Sequence, residues 1–170
     1  PLEELRARIG MVLQTNVLFT GTIRENLLWG DPNATEEDMI QAAKDAQAYD
    51  FIMSFPDGFD TVLDQGGVNV SGGQKQRLCI ARAMLRKPAI LILDDSTSAV
   101  DSATDAAIRE SFAKNLKGTT VIMIAQRISS VQYADEIIIL DDDHIAGQGT
   151  HEELLASNSI YQEIYRSQQD

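Results

Sequence analysis

The chain reads as an α/β domain in which a parallel-sheet core is joined to a mainly helical region. Three observations predict this. Short apolar runs at 90–93, 119–125 and 136–140 have the length and composition of strands buried on both faces of a parallel sheet. A helical stretch over about 102–116 separates the first two runs, the strand, helix, strand order of a right-handed crossover. Between residues 36 and 86 apolar positions recur at helical spacing, so the middle of the chain is helical.

The elements follow in order. Residues 1–8 form a partly helical lead that runs directly into the apolar residues 9–13, a short strand. Gln14-Thr15-Asn16 ends that strand, and a loop is expected next. Thr35 precedes Glu36, Glu37 and Asp38, a helix start with acids in its first turn. Met39, Ile40, Ala43 and Ala46 then share a helical face, so helices are expected over 36–54. Phe55-Pro56-Asp57-Gly58 has turn chemistry, and Gln65-Gly66-Gly67 makes a flexible approach to Ser71. From Gly73 onward Leu78, Ala81 and Leu85 lie on one helical face, and Lys87-Pro88 ends that helix. After the third apolar run Asp141-Asp142-Asp143-His144 makes a polar turn, and an amphipathic helix over 152–165 closes the chain.

At 170 residues and 44% hydrophobic content the chain fits one domain with a sizeable core. Its net charge of −12 argues against nucleic acid as principal partner, because nucleic-acid modules carry a positive stripe. The single cysteine, Cys79, cannot staple the fold and is expected to be a buried thiol in a reducing compartment. No window approaches the roughly 20 apolar residues of a membrane span, so the chain by itself is expected to be soluble.

The polar residues that punctuate these elements carry the chemistry. In open parallel sheets, ligands sit beyond the carboxyl ends of the strands. Gln14, Asp94-Asp95 and Gln126 occupy three such ends. A carboxylate there can hold magnesium, and its neighbour can orient a water for attack on a phosphate. Acids after an apolar strand, taken alone, usually begin a solvated turn. Here they accompany Ser71-Gly72-Gly73-Gln74, where adjacent glycines leave backbone N–H groups exposed at a helix start, a feature that attracts phosphate. Lys75 and Arg77 are either further phosphate contacts or solvated helix-face charges. His144 and His151 lack metal-ligand spacing and are expected at the surface, and Trp29 in a core or an interface.

Over essentially its whole length the chain resembles the ATP-binding cassette (ABC) ATPases, most closely the nucleotide-binding domain of an ABC exporter. Val70-Ser71-Gly72-Gly73-Gln74 matches the signature loop, with Val70 where leucine is usual. Residues 90–94 match the Walker B strand, Ser98-Ala99-Val100-Asp101 the D-loop, and Gln14 the Q-loop glutamine. Residues 61–67 match the exporter loop that touches transmembrane coupling helices, with Gln65 in place of its usual glutamate. The resemblance implies a P-loop NTPase (RecA-like) core over 1–14 and 87–170 and a helical signature subdomain over about 15–86. It also implies ATP and Mg2+, with Asp94 and Gln14 as metal residues and Asp95, Gln126 and Gln14 as catalytic residues. Ser71, Gly72, Gly73, Gln74 and Asp101 would meet the nucleotide across a head-to-tail dimer, at the cytoplasmic face of the plasma membrane in the intact transporter.

Three departures from the family pattern matter. Asp95 stands where a glutamate normally orients the attacking water, one methylene short. Gln126 stands where the family has its switch histidine, and glutamine can hydrogen-bond a γ-phosphate without titrating near neutrality. Paired changes of this kind resemble the degenerate half of a heterodimeric multidrug-type exporter. Finally, no G-x-x-x-x-G-K-[S/T] loop occurs among the 170 residues. In the family that loop lies upstream of the Q-loop strand, so the chain is expected to be a fragment that starts after it and is inactive alone. Two rival readings are a soluble ABC-type ATPase of DNA repair or translation and a non-catalytic docking module.

Overall fold

The computed structural model describes residues 1–169, which divide into two compact units, Pro1–Ile124 and a second from Ala125 onward. The first unit is built on three parallel strands in the order β1 (Ile9–Val12), β4 (Ile90–Asp94), β5 (Thr120–Ile124). Leu91 and Leu93 of β4 are buried, and Ile9 pairs with Ile90 and Ile90 with Thr120, so the three strands end at a common edge. Helix α6 (Ser102–Asn115) connects β4 to β5, the crossover that the alternating pattern predicts.

The remainder of this unit is helical: α1 (Leu2–Ala7), α2 (Ile23–Leu28), α3 (Glu36–Asp45), α4 (Tyr49–Ser54) and α5 (Gly72–Leu85). Helix α5 is its axis. Leu78, Cys79, Ile80, Ala81, Ala83, Met84 and Leu85 are all buried, so this helix is enclosed on more than the single face its spacing predicts. Around it gather Ile23, Leu27, Met39, Ile52, Leu63 and Ile108, each at most 2% exposed. Burying side chains of this size stabilises by roughly 1.5–3 kcal/mol apiece. The helical stretch over 36–54 is broken at Gln47, which takes a left-handed conformation (φ 56°) between α3 and α4.

Where a loop is expected after Asn16, the structure has more. A two-residue antiparallel pair joins β2 (Gly21–Thr22) to β3 (Val62–Leu63), and α2 follows with a capping box between Thr22 and Glu25. Thr22 Oγ1 accepts from Glu25 N–H at 3.0 Å, and Glu25 returns a carboxylate to Thr22 N–H at 2.7 Å.

The second unit corrects two expectations. The apolar run at 136–140 is not a strand of the parallel sheet. It is β6 (Ile137–Asp141), the first arm of an antiparallel hairpin with β7 (His144–Gly149). The physical reason is the turn: Asp142 adopts a left-handed φ of 50° between strands only two residues apart, the geometry of a tight hairpin. The closing helix is likewise two, α8 (His151–Ser157) and α9 (Ser159–Ser167), because Asn158 is extended and its side chain caps α9 by accepting from Tyr161 N–H at 2.9 Å. Ile137, Ile139, Leu154 and Tyr161, with Ile128 of the short α7 (Ile128–Val131), form this unit's own core. Among the described residues no helix is long and apolar enough to cross a membrane.

Candidate functional site

Parallel pairing of β1 with β4 brings their carboxyl ends together. Gln14, just beyond β1, donates from Nε2 to Asp95 Oδ2 at 3.4 Å, although 81 residues separate them. Asp95 itself sits in a left-handed turn (φ 45°) directly after β4, and its N–H donates to Ile124 O at the end of β5 at 2.8 Å. A non-glycine residue there carries local strain of order 1 kcal/mol or more, a condition that clusters at functional positions. Asp94, the last residue of β4, is half-buried, and no protein group donates to its carboxylate among the described residues.

The start of α5 is built differently. Ser71 is its N-cap: Ser71 Oγ accepts from Gln74 N–H at 3.2 Å, and Gln74 Oε1 accepts from Ser71 N–H at 2.9 Å. This reciprocal box uses two of the donors exposed at the helix start and leaves the Gly72 and Gly73 amides facing out of the first turn. The local pattern Ser-x-x-Gln is the signal for such a box, and sequence reasoning passes over it.

Asp101 caps α6. Its carboxylate accepts from Thr104 N–H at 2.9 Å and from the Thr104 hydroxyl at 2.7 Å. The backbone donor first, then the hydroxyl, hold this carboxyl below the usual carboxylate range. Gln126 belongs to the second unit and is exposed. Its carbonyl accepts from Gln168 Nε2 at 2.8 Å, while Gln168 Oε1 accepts from Ile128 N–H at 2.8 Å, so the end of α9 clamps the turn that carries Gln126.

Other residues meet or depart from their sequence expectations, Cys79 meeting its own. Arg77 is neither a solvated helix-face charge nor directed outward. Its guanidinium lies 4.7 Å from the Phe51 ring and donates to Gln47 O at 2.8 Å and Gly73 O at 3.2 Å. Burial pushes its pKa below the ordinary arginine value, partly offset by Asp101. Cys79 is buried, and burial raises its thiol pKa. Trp29 is 67% exposed and stacks on Phe19 at 4.9 Å, so it is not a core residue. His151 Nδ1 meets Tyr161 Oη at 2.7 Å. Sequence reasoning passes over Gln76, a buried amide whose partners lie in the connection between β4 and α6.

Comparison with known proteins accords with this geometry. The family model described as ABC transporter matches residues 1–98. The chain is 50% identical over 96% of its length to an uncharacterized ABC transporter ATP-binding protein, YknU, of Bacillus subtilis, and covers 28% of that protein. It is 46% identical over 96% of its length to a putative multidrug export ATP-binding/permease protein of Staphylococcus aureus, again covering 28%. The solved structure of a bacterial Atm1-family ABC exporter with ATP bound superimposes with a TM-score of 0.96 at 37% identity, over 100% of this chain and 30% of that one. The chain thus spans less than a third of the length of these relatives. Its α/β core is that of the P-loop NTPases, and the chain belongs to the ABC transporter family.

Proposed function

We propose that this chain is part of the ATP-binding subunit of an ABC exporter that couples ATP hydrolysis to transmembrane export, and that hydrolysis at its own site is slow. The meeting of Gln14 and Asp95 at the ends of neighbouring parallel strands carries this reading. It supports a site where an amide and a carboxylate converge on one bound phosphate. The donor set suits a hard cation: the unengaged Asp94 carboxylate and the Gln14 amide oxygen would hold magnesium, which when bound neutralises charge on the phosphate oxygens.

Asp95 would orient the attacking water, and its short side chain leaves the carboxylate away from the optimum. A misplacement of about one ångström costs on the order of a hundredfold in rate. Gln126 would donate a hydrogen bond to the γ-phosphate without exchanging a proton. Ser71 to Gln74, with Asp101, would act on ATP held by a second and different nucleotide-binding domain. Residues 61–67 would face transmembrane coupling helices. The exposure of Val62 and Val68, and of the stacked Phe19 and Trp29, supports an apolar partner in this region. A net charge of −12 favours a protein partner over nucleic acid.

The test is ATP turnover by the full-length protein purified with its partner subunit in lipid. Ser71→Ala and Asp94→Asn should affect different sites: the first should slow hydrolysis of ATP on the partner, and the second should lower magnesium-dependent binding on this subunit. Turnover indifferent to both, or stimulated by DNA or ribosomes instead of lipid, would overturn the proposal.

A further inference from the structure

Gln76 is a polar side chain at a position where the burial of α5 calls for an apolar one. It is 2% exposed, with Leu78, Cys79 and Ile80 buried beside it on the same helix. Burying an amide is unfavourable unless both its functions are bonded. Both are bonded here. Oε1 accepts from Ala99 N–H at 3.0 Å, and Nε2 donates to Ser98 Oγ at 3.5 Å. Ser98 and Ala99 belong to the connection between β4 and α6, where no strand or helix ladder supplies an acceptor. Gln76 supplies it.

An independent contact joins the same loop to the same helix. A Cβ on Gly73 would lie 3.0 Å from Ala99 O and 3.5 Å from Val100 Cγ1, so the first turn of α5 approaches the loop at backbone distance. Ala99 is therefore held at its N–H by Gln76 and flanked at its carbonyl by Gly73. The span tied in this way ends at two caps, Ser71 on α5 and Asp101 on α6.

We infer that Gln76 is a positioning residue that fixes the loop 98–101 to the first turn of α5, so that Ser71 and Asp101 approach a partner's nucleotide as one body. The inference rests on the proposed function, in which both residues face a second nucleotide-binding domain. A hydrogen bond from a buried helix side chain to loop backbone suits such a coupling. It has one length and one direction, and losing it leaves the Ala99 N–H without its acceptor.

The first measurement is independent of activity: amide hydrogen exchange in the full-length protein without nucleotide. Gln76→Leu, close in volume, should speed exchange across 98–100 by about tenfold. Gln76→Glu keeps an acceptor for Ala99 and should preserve most of the protection. Unchanged exchange in Gln76→Leu overturns the inference. Should that variant not fold, Gly73→Ala, which pushes against Ala99 O, probes the same loop: it too should speed exchange across 98–100, and unchanged exchange there overturns the inference equally.

The second measurement is ATP turnover of the complex carrying Ser71→Ala, Asp101→Ala or both. With Gln76 present, the combined loss should fall short of the product of the single losses by about fivefold. With Gln76→Leu, the losses should multiply. Coupling that survives Gln76→Leu overturns the positioning role. If loop exchange responds as expected while neither single substitution alters turnover, the proposed function fails and the structural tie stands.

Discussion

The start of α5 and the end of β4 both present polar groups at the tip of a regular element, yet they are held in opposite ways. Ser71 and Gln74 close on each other at 2.9 and 3.2 Å, and Gly73 packs against Ala99 O. At the end of β4, Asp95 is in the left-handed region, and among the described residues its side chain has one hydrogen bond, at 3.4 Å. Ser96, next to it, is 2% exposed with its hydroxyl unpaired among the described residues. One turn has its cap bonds made before any ligand arrives, with the Gly72 and Gly73 amides left outward; the other leaves strain and an unmet hydrogen bond. In the proposed function the satisfied turn serves the partner's ATP and the strained one serves the chain's own. Under that proposal, the capped turn is the element expected to work and the strained turn the one expected to be impaired.

The largest effect should come from lengthening the strained side. Asp95→Glu in the full-length complex should raise turnover at this chain's own site by about a hundredfold, because one methylene restores the carboxylate's reach. Single-turnover kinetics at each site checks this, and an unchanged rate would detach the slow site from side-chain length. Removing the satisfied cap should cost about 1 kcal/mol of local stability, the usual value for an N-cap serine replaced by alanine. Ser71→Ala should accordingly show about fivefold faster amide exchange over 74–76. Asp95→Gly should act in the opposite sense. Glycine relieves the left-handed φ of 45° and keeps the N–H bond to Ile124, so thermal stability should hold or rise by about 0.5 kcal/mol while hydrolysis falls. Equal destabilisation by Ser71→Ala and Asp95→Gly would erase the contrast between the two turns.

The two turns also differ in how far the sequence discloses them. The Ser71 cap is a four-residue pattern, and β4 with its acids is an apolar run with a polar end; both are local and readable. The meeting of Gln14 and Asp95 follows from strand ends in a parallel sheet. What escapes depends on distant partners. Arg77 has the sequence context of a surface charge, and only the fold brings Phe51 and Gln47 to it. Gln76 reads as a polar residue on a helix until the loop at 98–99 arrives over it. The hairpin of β6 and β7 is hidden for another reason. The run at 136–140 has the composition of a buried parallel strand, and its partner, with glycines and a glutamine, has weak strand propensity.

The smallest effect separates the caps of α5 and α6 by charge. The Ser71 and Gln74 box is neutral and does not titrate between about pH 7 and 2. Asp101 caps α6 with a carboxylate whose folded pKa lies below its ordinary value of 3.8, chiefly through Thr104 N–H and then the Thr104 hydroxyl. A depressed carboxylate contributes stability that is fully present above the unfolded value and is lost as pH falls through the folded one. Acidification from about pH 5 to below 3.8 should therefore loosen the start of α6 while the start of α5 holds. The readout is amide exchange at Thr104 compared with Gln74, each corrected for the intrinsic effect of pH. Thr104 protection should decline with acid, and Asp101→Asn, which keeps an acceptor without a charge, should abolish that decline. Loss at Gln74 in step with Thr104 would mean that the two caps open together, as a tie through Gln76 strong enough to override the charge would require.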